Sequence, residues 1–232
     1  MRKKILRIIA LVLLTAGIVS LLYRPVSNMN YANKQNAIIA DFNNTFSKES
    51  NIKNRRLEKL RKDIQKYNQT LIKNHQDKLG NPEYYGASAI RLSYYGFRNE
   101  VYGYLEIEKL NLKMAIYLGT SDYNMSLGAA HMAQTSIPYG GKNTNAVIAG
   151  HCGWGACDYF RNIETLEKGD KVRVTTPFGH LSYKVTDKKV IEPSDLKSIR
   201  IRKNKDMVTL FTCYPYPTSQ YRMCVFCSAE NK

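Results

Sequence analysis

The sequence predicts a mainly β domain, built as an antiparallel barrel or sandwich, that follows an N-terminal transmembrane helix and a helical region. Three observations lead to this fold class. Short apolar runs separated by turn residues begin at Val101, residues 26–79 contain no glycine and have helical periodicity, and residues 8–23 are almost wholly apolar. A chain of 232 residues is long enough for one domain with a full core and such appendages.

The first residues are basic and precede the apolar run. Residues 2–4 are Arg-Lys-Lys, and the run, counted from Ile5, is just long enough to cross a bilayer. A cleaved signal peptide begins in the same way, but no small-x-small cleavage site with a polar start follows, so we favour an uncleaved anchor over residues 1–25. Both alternatives place the bulk of the chain outside the cytoplasm, because the positive cluster stays inside. No second run of spanning length follows, so we expect a single-pass protein of the cell membrane.

Residues 26–79 are predicted to be a helical stalk. Apolar residues recur there at intervals of three and four in two groups, separated by a break at residues 47–51 where Ser50 or Asn51 caps the second helix. The two groups are Ile38, Ile39, Phe42 and Phe46, and then Leu57, Leu60, Ile64, Tyr67, Leu71 and Ile72.

A linker rich in glycine, tyrosine and serine occupies residues 80–100, and the β domain occupies residues 101–232. Short spacing between apolar runs is typical of an antiparallel barrel or sandwich. The seven candidate strands are residues 101–107, 114–118, 146–150, 171–175, 181–190, 207–212 and 221–226.

The net charge of +16 favours an anionic setting such as lipid headgroups or wall polymers. We find no zinc finger, RNP-like strand or basic region with heptads, so nucleic acid is not an expected partner. Most of the charge is attributed to solvation, with attraction to membrane or wall as a secondary effect.

Three reactive side chains fall at the ends of predicted strands. Cys213 ends the strand Thr-Leu-Phe-Thr-Cys, His151 follows the strand Asn-Ala-Val-Ile-Ala-Gly, and Arg222 stands near the start of the last apolar run. A thiol, an imidazole and a guanidinium are the groups that thiol-based acyl transfer needs. Taken singly, each has a structural alternative: a turn histidine, a core cysteine and a solvated arginine.

The relative placement of these groups follows if the last two strands are antiparallel neighbours. Cys213 opposite Arg222 would put their Cβ atoms roughly 5 Å apart on one face. A cation beside a thiol favours the nucleophilic thiolate, and the same guanidinium can hold a carbonyl or an oxyanion. His151 can protonate a leaving amine or deprotonate an incoming one.

The other polar candidates are weaker. His131 is assigned a structural or cleft-wall role, and His75 and His180 are expected at the surface. Asp158 could orient His151, although its position favours a turn.

Five cysteines in an exported chain invite a disulfide interpretation, and the odd number leaves one free, for which Cys213 is the candidate. Cys224 and Cys227 point to opposite faces of one strand. Cys152 and Cys157 flank a glycine-rich turn and could pair, or could be small buried hydrophobic residues. A zinc site made from these four with His151 is disfavoured because the Cys-x2-Cys pair lies inside a strand. No metal or other cofactor is expected.

These motifs resemble the sortases, the cysteine transpeptidases of Gram-positive cell surfaces. Residues 209–213 match the family's TLxTC motif, Arg222 stands where the family's arginine falls, and His151 in Ala-Gly-His matches its histidine. The resemblance extends over residues 103–229 and is closest to class C, the pilus-assembling sortases, in segments 118–121, 130–141 and 166–170. The long helical N-terminal region fits that class.

The resemblance implies a closed eight-stranded β-barrel and a catalytic domain held outside the membrane. It implies that Cys213 cleaves an LPXTG-like sorting signal between Thr and Gly, leaving a thioacyl-enzyme, while His151 moves protons and Arg222 holds the substrate and the oxyanion. The expected partners are LPXTG-type surface proteins or pilin subunits, and an amine nucleophile from a pilin lysine or a lipid-linked peptidoglycan precursor. Thr212 and His131 are further candidates for substrate contact.

The chain departs from class C in two ways. The family's Asp-Pro-aromatic lid motif has only Asn-Pro-Glu-Tyr-Tyr as a counterpart here, so the lid is degenerate, with Pro82, Tyr84 and Tyr85 as its candidate residues, or absent. The C-terminal membrane segment of many class C enzymes is also missing. Pilin polymerisation and wall anchoring therefore both stay open.

Two alternatives to a sortase remain at this point. A cysteine peptidase would use the same three side chains and transfer the acyl group to water. A non-enzymatic, basic surface adaptor would keep its cysteines for structure.

Overall fold

Eight strands and three α-helices make up the part of the chain that the computed structural model describes, which is residues 2–47, 51–81, 84, 86–88, 90–97 and 99–230. The helices are α1 Arg2–Ser47, α2 Asn51–Lys73 and α3 Asp122–Leu127. The strands are β1 Val101–Ile107, β2 Leu112–Leu118, β3 Ala129–His131, β4 Thr144–Ala149, β5 Lys171–Thr176, β6 Gly179–Ile191, β7 Asp206–Tyr214 and β8 Tyr221–Ala229.

The strands close into a barrel in the order β1-β2-β3-β4-β7-β8-β6-β5. This confirms the closed eight-stranded barrel. The expectation of a wholly antiparallel arrangement is wrong, because β2 and β3 are parallel and so are β4 and β7. Both pairs are joined by connections that return the chain to the starting end of the barrel before the partner strand begins.

All seven candidate strands are present, and several extend a few residues further than predicted. The eighth strand, β3, was not predicted. It has only three residues, Ala-Ala-His, so it offers neither an alternating pattern nor the branched side chains that favour strands.

Alternation along the strands separates the barrel interior from a second core on its outer face. On β7, Val208 and Leu210 point inward, whereas Met207 and Phe211 pack outside with Ile199. Cys227 lies in the inner cluster and Cys224 in the outer one. The opposite orientation of these two cysteines is thereby confirmed.

The N-terminal helix α1 continues without a break past Pro25, so the boundary predicted at residue 25 is not a change of secondary structure. Proline removes one backbone hydrogen bond from a helix, and the flanking turns carry the helix on. Among the described residues, the one helix long and apolar enough to cross a membrane is Arg2–Phe46, by length and composition.

The helical region does not stand apart from the barrel as a free stalk. The side-chain amide of Gln35 on α1 donates to the Leu127 carbonyl (2.7 Å), and its oxygen accepts from the Ala115 N–H (2.8 Å). On α2, Leu60 and Ile64 are fully buried against the barrel. The periodic apolar residues of the two helices therefore pack against the barrel.

Candidate active site

The predicted pairing of Cys213 with Arg222 is the register that β7 and β8 adopt. The Arg222 guanidinium donates through Nη1 to the carbonyls of Ser219 (2.7 Å) and Tyr221 (2.9 Å). These two bonds to the backbone fix the guanidinium at the end of the hairpin, where Arg222 and Cys213 line the same cleft.

The ends of β4 and β7 are tied together just before the reactive residues. The Gly150 N–H donates to the Phe211 carbonyl (3.0 Å), and the Thr212 hydroxyl donates to the Gly150 carbonyl (2.7 Å). Thr212 is 4% exposed, so its hydroxyl is committed to the strand that carries His151. Thr212 also lines the cleft with Cys213, so its predicted substrate contact stays a prediction beside this positioning role.

Gly150 is required by the packing around His151. A Cβ atom at this position would lie 2.7 Å from the ring of Phe160, which is buried in the barrel core. Any larger residue would push the ring or the strand end out of place.

His151 is half-buried and is held by aromatic rings. Its imidazole stacks on Trp154, with ring centroids 4.6 Å apart and planes at 15°, and meets the edge of Tyr159 at 5.9 Å. Burial lowers the pKa of His151 below its usual value of 6.5, and the nearby Asp122 carboxylate opposes this by raising it. The neutral imidazole therefore predominates at pH 7.

One cleft of about 310 Å³ brings the three reactive side chains together. His151, Cys213 and Arg222 all line it. Its apolar wall consists of Met125, Met132, Pro193, Leu196 and Phe211. Such a cleft can hold an apolar peptide segment next to a thiol nucleophile, a proton carrier and a fixed cation.

The sortase domain family matches residues 105–230, which is more than half of the chain. The chain belongs to the sortase family. Sortase D from Bacillus subtilis (strain 168) is 31% identical over 114 residues, covering 49% of this chain and 54% of that protein. This chain spans about half the length of the curated relatives it matches.

Solved structures similar to this sortase include several sortase C enzymes, which confirms the resemblance to class C. Sortase C1 of GBS pilus island 1 has a TM-score of 0.71 at 28% identity, covering 85% of this chain and 93% of that chain. Clostridium perfringens sortase C, solved with the C-terminal cell wall sorting motif, has a TM-score of 0.68 at 30% identity. That match covers 84% of this chain and 99% of the other.

His131 of this sortase lies behind the cleft and does not line it. It is 1% exposed, its Nε2 atom lies 3.2 Å from both the carbonyl and the hydroxyl of Thr135, and burial lowers its pKa to about 4. The predicted substrate contact is wrong for this conformation, and the structural alternative holds. Its neighbour Met132 lines the cleft instead.

Of the three lid candidates, the structure describes Tyr84. Pro82 and Tyr85 lie outside the described residues. The Tyr84 ring lies 5.1 Å from the Lys78 ammonium and is not among the described residues that line the cleft. The linker does pass close to Gly119, the neighbour of the cleft residue Thr120, since a Cβ atom on Gly119 would lie 2.7 Å from the Gly86 carbonyl.

Asp158 contacts α1 rather than His151. It pairs with Arg24, and its carboxylate accepts from the Asn28 amide at 2.6 Å. The alternative in which Asp158 orients His151 is therefore not the observed arrangement. His75 and His180 are exposed, as expected.

All five cysteines lie within the described residues and are free thiols, so the possible Cys152–Cys157 pair is not formed. Burial raises the pKa of Cys152, and the Cys157 thiol donates to the Ser27 carbonyl at 3.5 Å. In the described ranges no group of three or more His, Cys, Asp or Glu side chains could hold a metal ion.

Sequence reasoning missed several residues of the cleft and the tryptophan that stacks on His151. Asp122 follows the N-cap Ser121 of the short helix α3, and Trp154 is the single tryptophan of the chain, three residues after His151. The short distance in sequence from His151 was the signal that could have identified Trp154 as its neighbour. Pro193 and Leu196 come from the β6–β7 connection, whose return to the cleft no local pattern reveals.

Proposed function

We propose that this sortase is a membrane-anchored cysteine transpeptidase of the class C type. The observation that carries the proposal is the convergence of Cys213, His151 and Arg222 on one cleft at the ends of β4, β7 and β8. The catalytic roles below follow from the chemistry of these groups.

In the first half-reaction, the neutral His151 imidazole takes the proton of the Cys213 thiol, and the resulting thiolate attacks the threonine carbonyl carbon of an LPXTG-like sorting signal. The Arg222 guanidinium stabilises the oxyanion that forms. The Thr–Gly C–N bond then breaks, and the His151 imidazolium donates a proton to the departing glycine amine. A thioacyl-enzyme and a neutral imidazole remain.

In the second half-reaction, an amine attacks the thioester carbonyl. His151 accepts the proton of the incoming amine, the C–S bond breaks, and Cys213 leaves as a thiolate. An amide bond thus replaces the original one. We propose a pilin lysine as the first amine to test, with a lipid-linked peptidoglycan precursor second. The resemblance to a sortase of a pilus island supports this order.

The cleft wall supports a sorting-signal substrate. Met125, Met132, Pro193, Leu196 and Phe211 provide an apolar surface that suits the leucine and proline of such a signal. Clostridium perfringens sortase C, which was solved with a sorting motif, supports the same substrate class.

We also propose that α1 crosses the membrane once and holds the catalytic domain on the extracellular side. The basic residues before the apolar run support this topology. In this arrangement residues 1–25 are the anchor, residues 26–79 the helical region, 80–100 the linker and 101–232 the catalytic domain.

Mass spectrometry of the full chain incubated with an LPXTG-type peptide tests the proposal. We expect a mass increase equal to the acyl fragment, absent in Cys213→Ala and present in Cys157→Ala, the matched control at another partly exposed cysteine. An adduct that survives Cys213→Ala would refute the assignment of the nucleophile. Absence of any adduct from a chain whose Cys213 still reacts with iodoacetamide would refute the LPXTG-like substrate.

A further inference from the structure

The first polar turn of α1 docks on the loop that carries His151. The apolar run ends at Tyr23, and the next residue, Arg24, pairs with Asp158. Four residues later, Asn28 accepts from the Asp158 N–H (2.9 Å) and donates to its carboxylate (2.6 Å). The first residues of α1 after its apolar segment therefore contact residues 157–158.

Trp154 is paired with Cys157, the residue of the His151 loop that contacts α1. Trp154 and Cys157 exchange both backbone hydrogen bonds at 3.0 Å, and the Cys157 thiol donates to the Ser27 carbonyl of α1. Residues paired in this way have Cα atoms about 5.5 Å apart. Ser27 lies only roughly 6 Å along the helix axis beyond Tyr23. Trp154 therefore lies near the height along the α1 axis at which the apolar residues end, between Tyr23 and Arg24.

Two exposed aromatic rings and a cation lie near this level, since a Cβ atom on Gly153, the neighbour of Trp154, would lie 3.3 Å from the Tyr216 ring. Trp154 is 55% exposed although one face of its indole stacks on His151, and Tyr216 is 46% exposed. The Arg161 guanidinium lies 3.5 Å from the centroid of the Tyr216 ring. We call Trp154, Tyr216 and Arg161 the aromatic rim. Tryptophan and tyrosine are enriched at the headgroup level of membrane proteins, and a cation there meets lipid phosphates.

We propose that the aromatic rim lies in the headgroup layer of the bilayer that α1 enters, so that the catalytic cleft opens at the membrane surface. The position of the rim beside the emerging helix, its composition and the net charge of +16 all lead to phospholipid headgroups as its partner. A sorting signal or amine held near the bilayer then reaches Cys213 without leaving the surface. The inference rests on the proposed span of α1 and is independent of the proposed acyl transfer.

The fluorescence of the single tryptophan provides a direct test. The full chain is reconstituted in phosphatidylcholine–phosphatidylglycerol vesicles that carry a spin label either on the lipid headgroup or deep in the acyl chain. We expect the headgroup label to remove most of the Trp154 emission, and the deep label and aqueous iodide to remove little. The measurement is repeated with Cys213→Ala, in which acyl transfer plays no part.

A displaced tryptophan supplies the matched control. Tyr94 is 76% exposed, and the neighbouring Phe97 ring contacts Phe46, which lies roughly 35 Å beyond Tyr23 along α1. In the double variant Trp154→Phe/Tyr94→Trp, we expect iodide to quench the emission and both lipid labels to leave it unchanged.

Three results would overturn the inference. Trp154 emission that is quenched by iodide and by neither lipid label would place the rim in water. Emission that responds to a sorting-signal peptide and to neither lipid label would assign the rim to the substrate. A chain that fails to float with the vesicles would remove the span on which the inference rests. Each result can occur while acyl transfer is intact, so the two proposals fail separately.

Discussion

At the residue scale, Arg222 is paired with Cys213 across β7 and β8, and two backbone carbonyls hold its guanidinium. Arg222→Lys keeps the charge and loses the planar fork, so we expect kcat to fall by roughly 10²- to 10³-fold, with a smaller change in KM. Steady-state kinetics with a fluorescent sorting peptide measure this. Arg202→Lys, remote from the cleft, should leave kcat unchanged, and an equal loss in both variants would contradict the role of Arg222.

The pKa of His151 offers a second residue-scale prediction. Burial lowers it, and the Asp122 carboxylate raises it. Asp122→Asn removes the raising contribution alone, so the His151 titration midpoint should move to lower pH. Histidine NMR titration checks this, with Asp187→Asn as an exposed control. A midpoint that stays or rises would show that Asp122 does not act on the imidazole.

His131 predicts how stability depends on pH. Its folded pKa of about 4 lies below the usual 6.5, so between these values the unfolded chain binds more protons than the folded one. The contribution of His131 to the free energy of unfolding is therefore complete above about pH 6.5 and is lost as pH falls towards 4. The loss from this residue amounts to at most roughly 3 kcal/mol. Denaturation of wild type and His131→Gln across this range should show a flatter profile for the variant. The exposed His180→Gln should retain the wild-type slope, and equal slopes in all three would contradict the assignment.

Much of the site was predictable at this scale, because Cys213, His151 and Arg222 sit at strand ends and strand periodicity fixes their faces. His131, in contrast, was expected as a substrate contact and is buried behind the cleft, whereas Thr212 lines the cleft and also bonds to Gly150. Whether a polar side chain faces substrate or a neighbouring carbonyl depends on partners such as Gly150 and Thr135, which local sequence does not identify.

At the element scale, the docking of α1 on the His151 loop should affect catalysis without contact to substrate. Asn28→Ala removes two hydrogen bonds to Asp158, at a cost of about 1–3 kcal/mol to the docked loop. We expect faster hydrogen exchange in residues 152–160 and a lower kcat, with KM nearly unchanged.

A matched bond at the other end of α1 controls for general destabilisation. Asn99 donates to the Asp41 carboxylate at 2.6 Å, far from the cleft. Asn99→Ala should leave kcat and the exchange of residues 152–160 as in wild type. If Asn28→Ala behaves like Asn99→Ala, the docked helix does not position His151.

Seven strands and both long helices followed from periodicity, whereas their docking did not. The apolar spacing of Leu60 and Ile64 predicts that α2 buries a face but not which surface covers it. Strand β3 was not predicted, because three residues are too few to show an alternating pattern.

At the scale of the whole molecule, closure of the barrel depends on pairings between strands distant in sequence. β1 with β5 and β4 with β7 are examples that no local signal encodes. Resemblance to a family supplied the closed barrel, and residues alone supplied only a barrel or sandwich. The parallel β4–β7 pair matters for function, because it places the two strand ends that carry His151 and Cys213 side by side.

The central claim is that this chain transfers an acyl group through Cys213 to an amine. The most direct measurement incubates the full chain with an LPXTG-type peptide and a lysine-containing acceptor peptide, and quantifies amide and carboxylic acid products by mass spectrometry. The account predicts amide as the main product, lost in Cys213→Ala and retained in Cys157→Ala. Carboxylic acid alone would mean a peptidase, and amide formed by Cys213→Ala would contradict the account outright.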